Sequence, residues 1–342
     1  MKYLVFVLCT VFLACGEKRT AMPAYMSVSN GYTTLNGFAL GTYFKITYSD
    51  LQKRDYYDSI KYLLYRFENS LSVYRENSLI SKINNNMDTV PDKYFLAVFD
   101  KAKQISEQTD GAFDISASPL FEIWGWGAKK RENRITPSMI DSLKQYVGMD
   151  KIWIENGKIV KTSPHITLNT NAIAKGYASD ITAEFLETKG IDNYMINIGG
   201  EIVVKGKNKQ GKDWLIGIDK PDDGNMISGL ELQATLQLTN KSLATSGDYR
   251  RFFIDSVDGK KYSHAIDPRS GYSARQNVLS ATVIAPDCMS ADAYATAFMV
   301  MGLEKTKKFL ENHPELEVFL ICSDREKIVE YRSDNIKSRF VE

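Results

Sequence analysis

Apolar and polar residues alternate through residues 43–48, with Phe44, Ile46 and Tyr48 on one side, the period of a strand. The period then changes. Ile60, Leu63, Leu64, Phe67 and Leu71 fall at helical spacing, as do Phe95, Val98, Phe99, Ala102 and Ile105, and Asp110-Gly111 closes that second helix. Thr136-Pro137 joins a capping residue to a proline at the first helical position, and the helix it opens should end near Gly148. Short apolar stretches at 152–154 and 159–161 flank Asn156-Gly157, a strong hairpin signal. A helix is expected from about 172 to 189, stopped by Gly190.

The second half reads as strands at 194–198, 202–205, 214–218, 230–238 and 278–285. Two helices follow, near 290–301 and 304–312, then a strand pair near 318–321 and 328–331. Hairpins outnumber strand–helix–strand units, so the pattern predicts an α+β fold with mixed, mostly antiparallel sheets and packed helices. No internal repeat, low-complexity tract or interior linker is visible.

The start of the chain follows other rules. Met1-Lys2 precedes an apolar run over residues 3–13, too short for a permanent membrane span and typical of a secretory signal. Phe12-Leu13-Ala14-Cys15 has the form of a bacterial lipobox, although an ordinary signal with an incidental cysteine would look similar. Residues 1–14 are therefore expected to be a lipoprotein signal, with Cys15 the lipidation site. Residues 15–35, small and polar with Pro23, Ser27, Ser29 and Gly31, are expected to be a tether, and residues 36–342 the functional domain. This organisation implies an exported protein, membrane-anchored and facing the periplasm.

Composition narrows the function. With 25% charged and 44% hydrophobic residues the chain is globular. Its 43 basic residues against 42 acidic ones, neutral once Lys2 is removed, argue against a nucleic-acid binder. Three histidines nearly exclude a multi-histidine metal site. Cys9 would leave with the signal, so Cys288 and Cys322 remain, in better keeping with two buried thiols than with a disulfide, and no zinc-type spacing exists.

Five segments carry candidate chemistry. Gly111-Ala112-Phe113-Asp114, followed by Trp124-Gly125-Trp126-Gly127, offers close backbone approach and flat apolar surface, or simply a helix stop and core aromatics. Asn169-Thr170-Asn171-Ala172-Ile173-Ala174-Lys175-Gly176 turns into a helix whose N-terminus and Lys175 suit a phosphate, or is a capped helix with a solvated lysine. Asn197-Ile198-Gly199-Gly200-Glu201 puts paired glycines after a strand, for a ligand or for a bulged hairpin. Within 26 residues Thr245, Ser246, Asp248, Tyr249, His264, Asp267 and Arg269 cluster, and His264 or Asp267 could move a proton or hold a substrate. His165 and His313, each beside a proline, belong to turns. Finally, Asp292 and Thr296 share one helix face, as hard oxygen ligands suited to Mg²⁺ or as a helix-start aspartate and an incidental neighbour.

In this order, these segments resemble the bacterial ApbE-type flavin transferases (FAD:protein FMN transferases). The resemblance runs from about Gly37 to Gly302. It also takes in Gly41-Thr42-Tyr43, Leu71-Ser72-Val73-Tyr74 with Asn77-Ser78, residues 214–221, and His264-Ala265-Ile266-Asp267-Pro268-Arg269-Ser270-Gly271. It implies a T-fold-related α+β domain with a flavin cleft between sub-lobes. FAD is then the substrate, Tyr74 stacks on the isoalloxazine, and Ala112, Phe113 and Asp114 line the flavin site. Lys175 sits near the FAD phosphates, and Leu40, Asn169, His264 and Ile266 complete the flavin-binding set. Mg²⁺ is held by the carbonyl of Ala172, the carboxylate of Asp292 and the hydroxyl of Thr296.

The implied reaction passes FMN to a Thr or Ser hydroxyl of a redox protein through a phosphoester and releases AMP. His264 is the candidate for the proton transfer, and Asp292 serves the metal rather than acting as base. Three departures stand out: Leu40 where methionine is common, Asn169 where aspartate is, and Ser270-Gly271-Tyr272-Ser273 where Thr-Gly-Tyr-Pro is usual. The rivals are an Mg²⁺-dependent FAD pyrophosphatase, a non-catalytic flavin-binding lipoprotein and, with no sign of two similar lobes, a transporter's binding component.

Overall fold

A computed structural model describes residues 25–87, 89–127, 135–223, 225, 229–249, 252–254, 261–274, 277–324 and 327–341. The leader and Cys15 lie outside the described residues. Three strands open the fold: β1 (Tyr25–Ser29), β2 (Tyr32–Ala39) and β3 (Thr42–Ser49). Helices α1 (Tyr57–Leu71), α2 (Leu79–Asn84), α3 (Lys93–Gln108), α4 (Ser118–Ile123) and α5 (Pro137–Lys144) follow, then the hairpin β4 (Ile152–Glu155) and β5 (Lys158–Lys161). After α6 (Ala174–Thr188) come β6 (Tyr194–Ile198), β7 (Glu201–Lys205), β8 (Trp214–Asp219), β9 (Leu232–Leu238), β10 (Lys241–Gly247), β11 (Phe252–Ile254), β12 (Lys261–Ser263) and β13 (Val278–Ala285). The chain closes with α7 (Cys288–Leu310), β14 (Glu317–Asp324) and β15 (Lys327–Arg332).

Nine strands form one sheet in the order β1-β2-β3-β6-β7-β10-β13-β14-β15, and every pairing described is antiparallel. The central strands are buried on both sides, and alternate residues serve different cores. Val283 of β13 and Val318 and Leu320 of β14 face the main core with Leu64, Phe67, Phe95 and Phe298 from the helices. Ile284, Phe319 and Ile321 face the opposite side, where β8 and β9 cover the sheet with Trp214, Ile216 and Leu236. A third, smaller apolar cluster joins α4, α5 and the 262–272 segment through Leu120, Trp124, Ile140 and Ile266.

Local signals explain many boundaries. Thr136 caps α5, its hydroxyl accepting from the Met139 N–H at 3.3 Å. Asn156 and Gly157 both adopt positive φ, as the two-residue hairpin requires. The two helices expected at 290–312 are one run broken at Gly302, whose φ of 78° and ψ of 173° are non-helical. Cys288 and Cys322 are free and buried.

One boundary needs correction. The tether expected over residues 15–35 does not extend to 35, because residues 25–35 belong to β1 and β2 of the main sheet. Asn30 and Gly31, at φ of 51° and 75°, form the turn between them. The polar, exposed character of an edge strand imitates a linker.

Candidate active site

The junction of α6 and α7 is built on a missing side chain. A Cβ at Gly176 would lie 2.2 Å from the Cys288 carbonyl oxygen and 2.8 Å from Cβ of Asp292, so only glycine lets the two helices approach this closely. The approach redirects a hydrogen bond. The Gly176 N–H donates to Oδ2 of Asp292 at 3.0 Å instead of to the carbonyl four residues earlier. That carbonyl belongs to Ala172, and no backbone N–H among the described residues is directed to it.

Three oxygens of different types belong to the segments that meet at this junction. The Ala172 carbonyl is one, and the second oxygen of Asp292, a residue only 4% exposed, is another. The third is the Thr296 hydroxyl, which meets Oγ of Ser246 at 3.2 Å. No group of three or more His, Cys, Asp or Glu side chains converges among the described residues. The donor set is thus carbonyl, carboxylate and hydroxyl, all hard oxygens, and it fits Mg²⁺ with substrate oxygens and waters completing the shell.

Beside this set Lys175 pairs with Glu201, the first residue of β7. The Glu201 side chain is 3% exposed and that of Lys175 32%. Burial alone would lower the Lys175 pKa, but Glu201 and Asp292 together hold it above its ordinary value. Burial pushes Glu201 up to about 7 against the pull of Lys175, and it raises Asp292 as well. Two buried carboxylates therefore share one ammonium, an arrangement short of positive charge and receptive to a cation.

Asp180 of α6 fixes the same junction from the other side. Its carboxylate accepts the N–H groups of Cys288 and Met289, each at 2.8 Å, at the start of α7. Burial nevertheless pushes its pKa up to about 7. A raised carboxyl pKa means that the folded state holds the proton longer than the unfolded chain. Stability from this group is then full below about pH 4 and is lost as pH rises toward 7. Asp180→Asn is therefore expected to gain melting temperature relative to the native protein between pH 4 and 7. Parallel thermal melts check this, and a constant gap across that range would contradict it.

The residues that the resemblance assigns to flavin binding lie on distant segments of the chain. Leu40 occupies the β2–β3 turn at φ 50°, a left-handed conformation that costs a leucine about 1 kcal/mol. Its N–H donates to Oε1 of Glu68 at 2.7 Å, and the other oxygen of Glu68 pairs with Arg75. Next to Arg75, Tyr74 is 58% exposed and its hydroxyl accepts from the Asn171 amide at 2.9 Å. Asn169 is buried, its N–H donating to the Ile115 carbonyl at 2.8 Å and its Oδ1 accepting from the Asn171 N–H at 2.9 Å.

Ala112 and Phe113 are 1% and 2% exposed and pack into the main core. The Asp114 carboxylate is engaged by Ser116, whose N–H and hydroxyl reach it at 2.7 and 2.6 Å. This segment therefore offers a ligand its backbone more than its side chains. Arg269 lies against Gly111, pairs with Asp267 at 2.8 Å, and brings the fourth segment onto the first. Ile266 belongs to the small third cluster, and the His264 ring meets Trp126 edge-on at 6.2 Å. The set thus spans the boundary between two apolar clusters. His165 packs on Tyr146, and His313 stacks on Phe309 and bonds Glu315, both outside this region.

Sequence spacing does not single out Glu201. Gly199 and Gly200, at φ 70° and 108°, form the two-residue β6–β7 turn rather than a bulge. The Lys175–Glu201 pair crosses 26 positions of sequence and becomes visible only when α6 lies on β7.

The family model described as ApbE family matches residues 40–320. A FAD:protein FMN transferase of Vibrio cholerae is 33% identical over 313 residues, covering 89% of this chain and 91% of that protein. One of Haemophilus influenzae is 34% identical, covering 84% and 86%. Among solved structures, the flavin transferase ApbE from Vibrio cholerae superposes with a TM-score of 0.81 at 31% identity, covering 93% of this chain and all of that one. The apo form of the Pseudomonas stutzeri flavinyl transferase ApbE gives 0.80 at 25% identity, covering 93% and 97%.

Proposed function

This chain belongs to the ApbE family, and from that premise we propose that it is a transferase that moves FMN from FAD to a Thr or Ser hydroxyl of target redox proteins, in an Mg²⁺-dependent reaction that releases AMP. The observation that carries the Mg²⁺ assignment is the α6–α7 junction, where Gly176 gives its N–H to Asp292 and leaves the Ala172 carbonyl open.

Each residue then has a task. Ala172, Asp292 and Thr296 would hold the metal. When bound, Mg²⁺ neutralises negative charge on the pyrophosphate oxygens. Lys175, at the start of α6, adds a second positive charge beside the same phosphates. Tyr74 presents an exposed ring on which the isoalloxazine stacks, so that the flavin end is retained while the nucleotide end departs. The acceptor oxygen forms a bond to the FMN phosphorus, the bond from that phosphorus to the oxygen retained by AMP breaks, and the hydroxyl proton goes to His264. By the same reading Cys15 carries a lipid that holds the enzyme at a membrane facing the periplasm, supported by the lipobox-like residues 12–15.

His264→Ala is expected to slow single-turnover transfer at least ~10-fold, a floor below the ~10²–10⁴-fold that a positioned proton acceptor contributes. An unchanged rate would make His264 a packing residue against Trp126. The reaction itself is tested by incubating the purified protein with FAD, a Thr-containing acceptor, and either Mg²⁺ or EDTA, and measuring nucleotide products. AMP equal in amount to protein-bound flavin, only with Mg²⁺, is the expected result. Free FMN equal to AMP would make the protein a pyrophosphatase, and bound FAD without turnover would make it a carrier.

A further inference from the structure

Glu201 has no part in the reaction as described so far, yet it is among the most buried acids near the site, at 2% exposed. Its backbone is pinned, because the Ser179 hydroxyl of α6 donates to its carbonyl at 3.1 Å. Its Oε1 pairs with Lys175, and its Oε2 is buried with no hydrogen-bond partner. Lys175 interacts electrostatically with two acids, Glu201 and Asp292, but the contact it makes is with Glu201.

That choice has a consequence for Asp292. A partly buried ammonium that loses its carboxylate partner is drawn to the remaining acid with which it interacts. Without the charge on Glu201, the remaining acid is Asp292. Its Oδ2 already accepts the Gly176 N–H, so the lysine would take the other oxygen, the one a divalent cation needs. An ammonium and Mg²⁺ cannot share that position without strong repulsion.

We propose that Glu201 is a positioning residue that holds Lys175 away from Asp292 and so keeps the Asp292 carboxylate open for the metal. The inference rests on the metal assignment made above. It accounts for a buried acid placed at the end of a tight glycine turn, where the backbone leaves it little freedom to move.

The test is Mn²⁺ binding to the FAD-saturated protein, followed by electron paramagnetic resonance of the free ion, with thermal melts to verify folding. Glu201→Gln is expected to weaken Mn²⁺ at least tenfold while FAD affinity changes less. Adding Lys175→Met to that variant is expected to restore most of the Mn²⁺ affinity, because the competing ammonium is gone, although FAD binding then weakens. Glu201→Asp, which keeps the charge but shortens the reach, is expected to fall between, and it serves if the Gln variant does not fold. Unchanged Mn²⁺ affinity in folded Glu201→Gln, or a loss that Lys175→Met does not restore, would overturn the inference alone. A native protein that binds no Mn²⁺, or binds it equally after Asp292→Ala, would overturn the metal assignment and this inference with it.

Discussion

Asp292→Ala should lower the rate of flavin transfer by about a thousandfold or more while FAD still binds. Metal stabilisation of transferring phosphoryl groups is worth several kcal/mol, and about 4 kcal/mol corresponds to three powers of ten in rate. Under the proposed roles the flavin end of FAD is held by Tyr74 and the backbone of residues 112–114, on segments other than those of the metal ligands. Affinity for FAD should therefore fall far less than the rate. The substitution has a structural cost as well, since the Gly176 N–H loses its acceptor in a buried place. Asp292→Asn separates the two effects. Its amide oxygen can still accept from Gly176, so the fold is kept, but the negative charge on the metal is lost. Single-turnover transfer and FAD fluorescence titration on both variants give the comparison. Full activity in either folded variant would remove Asp292 from the metal site.

Gly176→Ala is the second large effect, and it acts through packing. The added Cβ would stand 2.2 Å from a backbone oxygen and 2.7 Å from the carbon that bears it, in Cys288. Backbone cannot rotate away as a flexible side chain would, so α6 and α7 must separate. Overpacking of this kind costs about 1–3 kcal/mol, a fall of roughly 2–5 °C in melting temperature for a domain of this size. The functional loss should exceed the loss of stability, because the same separation pulls Lys175 in the first turn of α6, and Ala172 in the turn just before it, away from Asp292 and Thr296 on α7. A displacement of about 1 Å in a catalytic constellation can cost a hundredfold in rate. Melting curves and single-turnover rates check both parts. A stable, fully active Gly176→Ala protein would show that the helices do not need this close approach.

Gly176 also marks where sequence reading stops. The helix that contains it was legible from periodicity, and Lys175 was legible as a phosphate candidate from its place at a helix start. The i, i+4 pair Asp292 and Thr296 was legible as an oxygen pair on one face. The contact that joins the two helices was not, because Gly176 and Asp292 are 116 positions apart. The same holds for the open Ala172 carbonyl, which follows from a hydrogen bond redirected in three dimensions.

Strand β10 shows a different limit. Its Lys-Ser-Leu-Ala-Thr-Ser-Gly sequence is not among the strands expected from the pattern and overlaps a segment of candidate chemistry, yet it lies in the middle of the nine-stranded sheet. Its hydroxyls are used locally: Thr245 bonds Thr282 on the neighbouring strand at 2.9 Å, and Ser246 meets Thr296. The strand packs under α7, and tertiary packing overrides the local signal. By contrast, turns with an intrinsic backbone requirement, such as Asn156-Gly157 and the break at Gly302, were readable because the requirement is local.

The most direct test of the whole account is the intact mass of a Thr-containing acceptor domain after incubation with this protein, FAD and Mg²⁺, beside the same acceptor with that Thr changed to Ala. The account predicts a gain of one FMN residue on the first acceptor and none on the second. An unmodified Thr acceptor in the presence of FAD turnover would contradict it, and so would equal labelling of both.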